Sequence, residues 1–146
     1  MLINKDDIPQ VDMEFMNDVH DRDVEIINDL YASILLYEKE LSKENEQTIH
    51  NNYQEWFEHT LGHFKGEEEK MLELNFPPYH MHKGEHDKAI HIMDEKFRAW
   101  QNSKDVNILK NYLSNEMKPW LIQHIQTMDT ITARFFNTGM SPCSKR

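Results

Sequence analysis

This chain of 146 residues has one cysteine, four glycines and five prolines, and no long uncharged apolar run. A single thiol, Cys143, excludes an internal disulfide, and no second cysteine or basic cluster beside it marks it as reactive. Scarce glycine and proline, with abundant Met, Leu, Ile, Glu and Lys, argue for helices rather than turn-rich β structure. No apolar stretch approaches the ~18 residues needed to span a bilayer. The start, Asn4-Lys5-Asp6-Asp7, does not resemble a signal peptide, so a cytoplasmic protein is expected. Basic residues are also in deficit, 16 against 26 acidic, for a formal net charge of −10. A nucleic acid duplex or an anionic membrane would repel such a body, so neither is an expected partner.

What is present is periodicity. Four stretches place apolar residues three and four apart, the spacing that keeps one face of a helix inward. They run from Met13 through His20 to Leu41, from Ile49 through His63 to Leu74, from His82 through Met93 to Trp100, and from Leu109 through His124 to Phe135. The expected fold is all-α, an antiparallel up-down-up-down four-helix bundle in one domain spanning 1–146. Residues 1–11 form an irregular N-terminal arm and 138–146 a flexible tail. The expected helices cover 13–41, 43–74, 79–101 and 104–137, with Ser42 and Ser103 as N-caps and a break at Asn75-Phe76-Pro77-Pro78. Pro119 should kink the fourth helix. No second apolar face is evident, which favours a monomer.

Each stripe carries a histidine where a core residue should stand, out of nine histidines in the chain. His63 and Glu67 are four apart, as are His82 and His86, which leaves each pair about 40° apart on one helical face. A carboxylate in a stripe with Trp56 and Met71 costs several kcal/mol to bury unless it is paired or bound to a cation. His124 and Asp129 are five apart, roughly 140° around an ideal helix, so Asp129 must reach sideways to share a site with His124. The residues His20, His63, Glu67, His82, His86, His124 and Asp129 are therefore the candidate metal ligands. His59 is a less suitable partner for His63. His50, His80 and His91 read as solvated or as neighbours of the site, and Glu55, Glu58, Glu68 and Glu69 as the wet face of the second helix.

No His has an acid three residues before it, so the E-x-x-H pattern of ferritin-like di-iron proteins is absent, and so is H-E-x-x-H of zinc proteases. A closed tetrahedral zinc site needs four ligands, whereas seven are offered, which suits two metals. Two octahedral ions have about twelve positions between them. With Glu67 and Asp129 bridging, one bridging oxide or hydroxide and five imidazoles, one position stays open for a small ligand. Few carboxylates leave little negative charge to stabilise highly oxidised iron, which favours binding a diatomic molecule over cleaving it.

Over nearly its whole length the chain resembles the hemerythrin family. A His on helix one, H-x-x-x-E on helix two, H-x-x-x-H on helix three and H-x-x-x-x-D on helix four fall on the seven candidates in order. His63-Phe64-Lys65-Gly66-Glu67-Glu68 is similar to the family's HFxxEE. The segments from His82 to His86 and from Trp120 to Asp129 are similar to its HxxEH and WLxxHIxxxD. One departure is Asn17, where an Asp often stands three before the first His. The resemblance implies two iron ions with a bridging oxide or hydroxide, and O2 bound reversibly at one of them. It implies that His82, His86 and His124 hold the filled iron and His20 and His63 the one with the vacancy. Trp120, Leu121, Ile125 and Phe64 would line the O2 pocket. The expected function is oxygen storage, delivery or sensing, with an oxygen-consuming enzyme as a conceivable partner. The alternatives are an enzyme removing peroxide or nitric oxide, or an iron-handling protein that serves an iron acceptor in the repair of other iron centres.

Overall fold

The computed structural model describes residues 1–139. Three long helices, α1 (Glu14–Lys39), α2 (Lys43–Glu73) and α3 (Tyr79–Ser103), are followed by a fourth rod, α4, over residues 106–138. Short connections fold each back on its predecessor; α1 packs on α2, α2 on α3, and α4 closes against α3 and α1. The result is an all-α four-helix bundle. No helix among the described residues is long and apolar enough to cross a membrane.

Local chemistry sets most of the boundaries. The Ser42 hydroxyl accepts the Asn45 N–H at 3.1 Å and starts α2. That helix ends where Asn75 takes a left-handed φ of 54°, which an Asn tolerates, ahead of Pro77 and Pro78. Helix α1 stops at Lys39, short of the expected limit, leaving Leu41 exposed. The cap of α4 is Asp105 rather than Ser103, its carboxylate accepting the Asn107 N–H at 3.0 Å. The Ser103 hydroxyl is instead spent inside α3, donating to Ala99 O, and Lys104 leaves the helix with φ 56°.

The N-terminal arm is ordered against the bundle. It makes a short 3-10 turn at Lys5–Asp7 and buries Ile3, Ile8 and Val11. Asn28 grips the backbone of Leu2 and Ile3, and Asn17 grips both backbone groups of Val11 at 2.9 Å. The Asn17 side chain thus serves the arm. Of the expected tail, Thr138 still belongs to α4; Cys143 lies outside the described residues.

The fourth rod is not uniformly α-helical. Two π-helical turns, Tyr112–Met117 and Ile125–Asp129, interrupt it. The first stands immediately before Pro119, so the expected kink takes the form of a widened turn, with the Lys118 N–H reaching back five residues to Leu113 O. A proline ring clashes with the carbonyl four residues before it, and a wider turn relieves that clash.

Most of the main apolar core, including Trp100, Tyr53, Ile34, Leu109 and Leu113, fills one end of the bundle, and Met16 and Ala133 carry it towards the other. Tyr53 donates its hydroxyl to Met93 O at 2.7 Å and stacks on Phe97. A smaller cluster of Met71, Phe76 and Phe135 closes the opposite end. Each such side chain contributes about 1.5–3 kcal/mol when fully buried. Between these apolar regions, in the first half of α1 and α3 and the second half of α2 and α4, inward positions turn polar.

Candidate metal centre

All four helices bring side chains to this polar layer. His20 and Asp23 come from α1, His63 and Glu67 from α2, His82 and His86 from α3, and His124, Asp129 and Thr132 from α4. The seven candidates converge, and six of them are buried as whole residues. The His63 side chain is equally enclosed, at 4 % exposure.

The two carboxylates divide the histidines between them. Glu67 turns Oε1 towards His86 Nε2 (3.4 Å) and His82 Nε2 (3.6 Å), and Oε2 towards His63 Nε2 (2.7 Å). Asp129 turns Oδ1 towards His82 Nε2 (3.1 Å) and His124 Nε2 (3.3 Å), and Oδ2 towards His20 Nε2 (3.0 Å). One oxygen of each acid thus faces His82, His86 and His124, and the other faces His20 and His63. The donor atoms fall into two groups able to hold a metal, one on each side of Glu67.

Asp129 does not reach sideways. The π turn at Ile125–Asp129 follows His124 directly, and in such a turn residues five apart stand one above the other. The widened backbone is supported at Ile125 O, which accepts both the N–H and the hydroxyl of Thr130, the latter at 2.7 Å.

The inner faces of these side chains lack partners. His20 Nε2, His82 Nε2, His86 Nε2, His124 Nε2, Glu67 Oε1 and both oxygens of Asp129 are buried without a hydrogen bond. Buried polar atoms are ordinarily satisfied, and one left alone costs about 1–3 kcal/mol. Seven such atoms aimed at one another fit a cation better than any protein donor. Imidazole nitrogen and carboxylate oxygen suit iron or zinc, so the residues fit the group that the motif implies.

The outer faces are held. His124 Nδ1 donates to Glu85 at 2.8 Å, His86 Nδ1 to Glu68 at 2.8 Å, and His82 Nδ1 lies 2.7 Å from Thr132 Oγ1. His63 Nδ1 stands 3.0 Å from Asp23 Oδ2. These contacts leave Nε2 free to face inward. Sequence reasoning assigned Glu68 to the wet face, whereas it is half-buried on His86; a helix-two face alone does not show that α3 lies across it. Asp23, Glu85 and Thr132 were missed for the same reason, since their partners sit on other helices. His59 stays outside the cluster, 2.7 Å from Asp23 Oδ1. His80 and His91 are exposed, and His50 packs on Phe97.

Charge in the layer is poised for a cation. Burial pushes the Asp129 pKa up, but the imidazoles of His124, His20 and His82 facing it at 3.0–3.3 Å outweigh that and hold the carboxyl well below its usual range. Burial and the Asp129 charge raise Glu67, yet His63 and His86 bring it below the ordinary value. Burial disfavours protonated His63, but Glu67 and Asp23 lift its pKa well above normal; His124 is raised against burial mainly by Asp129.

A cavity of about 490 Å3 leads to the layer, reaching His63, His124 and Asp129. Phe64, Trp120 and Leu121 line it, as do Ile27, Trp56 and Met93. Phe64 stacks on the His86 ring at 3.8 Å and Trp120 on the His124 ring at 4.6 Å. Ile125, expected in the lining, is instead wholly enclosed in the core.

The hemerythrin HHE cation binding domain family matches residues 11–135. A bacteriohemerythrin of Aquifex aeolicus is 31 % identical over 134 residues, covering 92 % of this chain and 97 % of the relative. Another, of Ralstonia nicotianae, is 34 % identical over 71 residues, covering 49 % of this chain and 50 % of the relative. No solved structure matched. Four helices around a His/Glu/Asp cluster able to hold a metal, with the family match across nearly the whole bundle, place this chain in the hemerythrin family.

Proposed function

We propose that the chain is a non-haem di-iron protein that binds O2 reversibly, working as a single domain and a monomer in the cytoplasm to store, deliver or sense oxygen. The observation that carries this reading is the division of Glu67 and Asp129 between two histidine sets. His82, His86 and His124 with one oxygen of each acid would hold one iron. His20 and His63 with the other oxygens would hold the second, one histidine short and so with room for a further ligand. When bound, the iron pair supplies the electrons and the open coordination position that O2 needs.

The remaining work belongs to the protein. Glu85, Glu68, Thr132 and Asp23 orient the imidazoles from behind. Phe64 and Trp120 cover the faces of His86 and His124, and with Leu121 give the approach an apolar wall that disfavours water. Excluding water slows irreversible oxidation and favours release of the intact ligand.

Anaerobic reconstitution with Fe(II), followed by air and then argon, tests the reading. A ligand-to-iron charge-transfer band should appear in air and fade under argon. A band that persists irreversibly, or rapid turnover of peroxide or nitric oxide, would favour an enzyme. Iron stripped quickly by a chelator and collected by an acceptor apoprotein would favour iron handling.

A further inference from the structure

The five histidines of the layer are not equally anchored. His82, His86 and His124 each have a fixed Nδ1 partner. On the other side, His20 Nδ1 is buried with no partner among the described residues. Only His63 is held there, by Asp23, and Asp23 is itself an unusual residue. It is 4 % exposed, sits on α1 one turn after His20, and places one oxygen 3.0 Å from His63 Nδ1 and the other 2.7 Å from His59 Nε2. His59 lies one turn before His63 on α2, with its side chain 24 % exposed. A buried carboxylate is thus clamped between two histidines of the neighbouring helix, and it links α1 to α2 beside the less-anchored half of the centre.

We propose that Asp23, braced by His59, is the positioning residue that holds the two-histidine half of the metal centre through Nδ1 of His63. Accepting the Nδ1 proton fixes the tautomer in which the Nε2 lone pair faces Glu67 and the metal, and it strengthens that nitrogen as a ligand. His59 Nε2 stands 2.7 Å from the second oxygen, an ion-pair contact that opposes rotation of the carboxylate. Because His20 has no comparable anchor, the hold on this half rests on Asp23 more than any single outer contact does on the three-histidine half. The inference rests on the di-iron reading above, and it predicts that this half becomes the labile one when the clamp is broken.

Wild type, Asp23→Leu, Asp23→Asn, His59→Phe and His59→Gln would each be loaded anaerobically with excess Fe(II) and then challenged with a chelator. All should load two irons. From Asp23→Leu one iron per chain should leave about 10- to 100-fold faster than from wild type, the usual effect of losing such a contact, while the other leaves at the wild-type rate. Asp23→Asn and His59→Gln, which keep a polar partner, should fall between, and His59→Phe should release the same single iron faster. In Zn(II)-loaded protein, 15N-resolved imidazole NMR should show His63 with its proton on Nδ1 in wild type and an altered Nδ1 signal in Asp23→Leu. Should Asp23→Leu not fold, the other three variants and the tautomer decide the matter. Wild type holding fewer than two irons would remove the di-iron reading. Wild type holding two, with release rates unchanged in every variant or both irons accelerated equally, would overturn the positioning role of Asp23.

Discussion

Thr132→Val isolates one contact of the layer at almost constant volume. Thr132 is fully buried on the last segment of α4, and its hydroxyl lies 2.7 Å from Nδ1 of His82, fifty residues away on α3. Valine replaces the hydroxyl with a methyl group, so no cavity is opened and the packing contribution is small. What remains is an imidazole nitrogen buried without a partner, a loss of about 1–3 kcal/mol. For a chain of this length each kcal/mol moves the midpoint by about 2–4 °C, so the metal-free variant should melt roughly 2–12 °C below wild type. The same change frees the His82 ring to rotate and should weaken metal binding about 10-fold or more. Thermal unfolding followed by circular dichroism reads the first effect, and titration with Fe(II) under anaerobic conditions reads the second. A variant with wild-type melting and wild-type affinity would refute the idea that outer contacts fix these imidazoles.

Other outcomes follow from the same geometry. His63→Ala or Glu67→Ala should lower iron content below two per chain while the far-ultraviolet spectrum stays helical; two irons in either would refute the ligand assignment. Leu121→Ala, by opening the apolar wall of the approach, should shorten the lifetime of the oxygenated form, and an unaltered lifetime would remove Leu121 from that role. Proton linkage gives a further check. His63 and His124 have folded pKa values above that of a free imidazole, so their contribution to the metal-free fold is complete below about pH 6.5 and fades as pH rises through the folded values. Asp129, Glu67 and Asp23 act in the opposite sense, contributing fully above about pH 4.5 and less as pH falls through their lowered values. A metal needs those imidazoles without their protons, so loading should release protons and tighten as pH rises through neutrality. Calorimetry in buffers of different ionisation enthalpy that found no proton release would contradict this.

The bundle and its seven inward polar residues were legible because helical periodicity is a local signal that accumulates over many turns. Met16, Ile27, Ile34, Tyr53, Met93 and Leu113 all sit on the expected faces and are buried. The π turns were not legible. Spacing His124 and Asp129 five apart looks like a misfit on an ideal helix, and only in the folded chain does the backbone widen to absorb it. Asp23, Glu68, Glu85 and Thr132 escaped notice because each acts on a histidine from a different helix, and the angle between helices sets that meeting. The arm looked irregular because its order comes from Asn17 and Asn28 gripping backbone groups, which leaves no periodic trace.

The most direct measurement of the central claim is a crystal structure of the Fe(II)-loaded protein with anomalous diffraction recorded at the iron edge. The account predicts two peaks within the bundle, one among His82, His86 and His124 and one beside His20 and His63, with Glu67 and Asp129 touching both. A single peak, or iron bound away from these side chains, would contradict it.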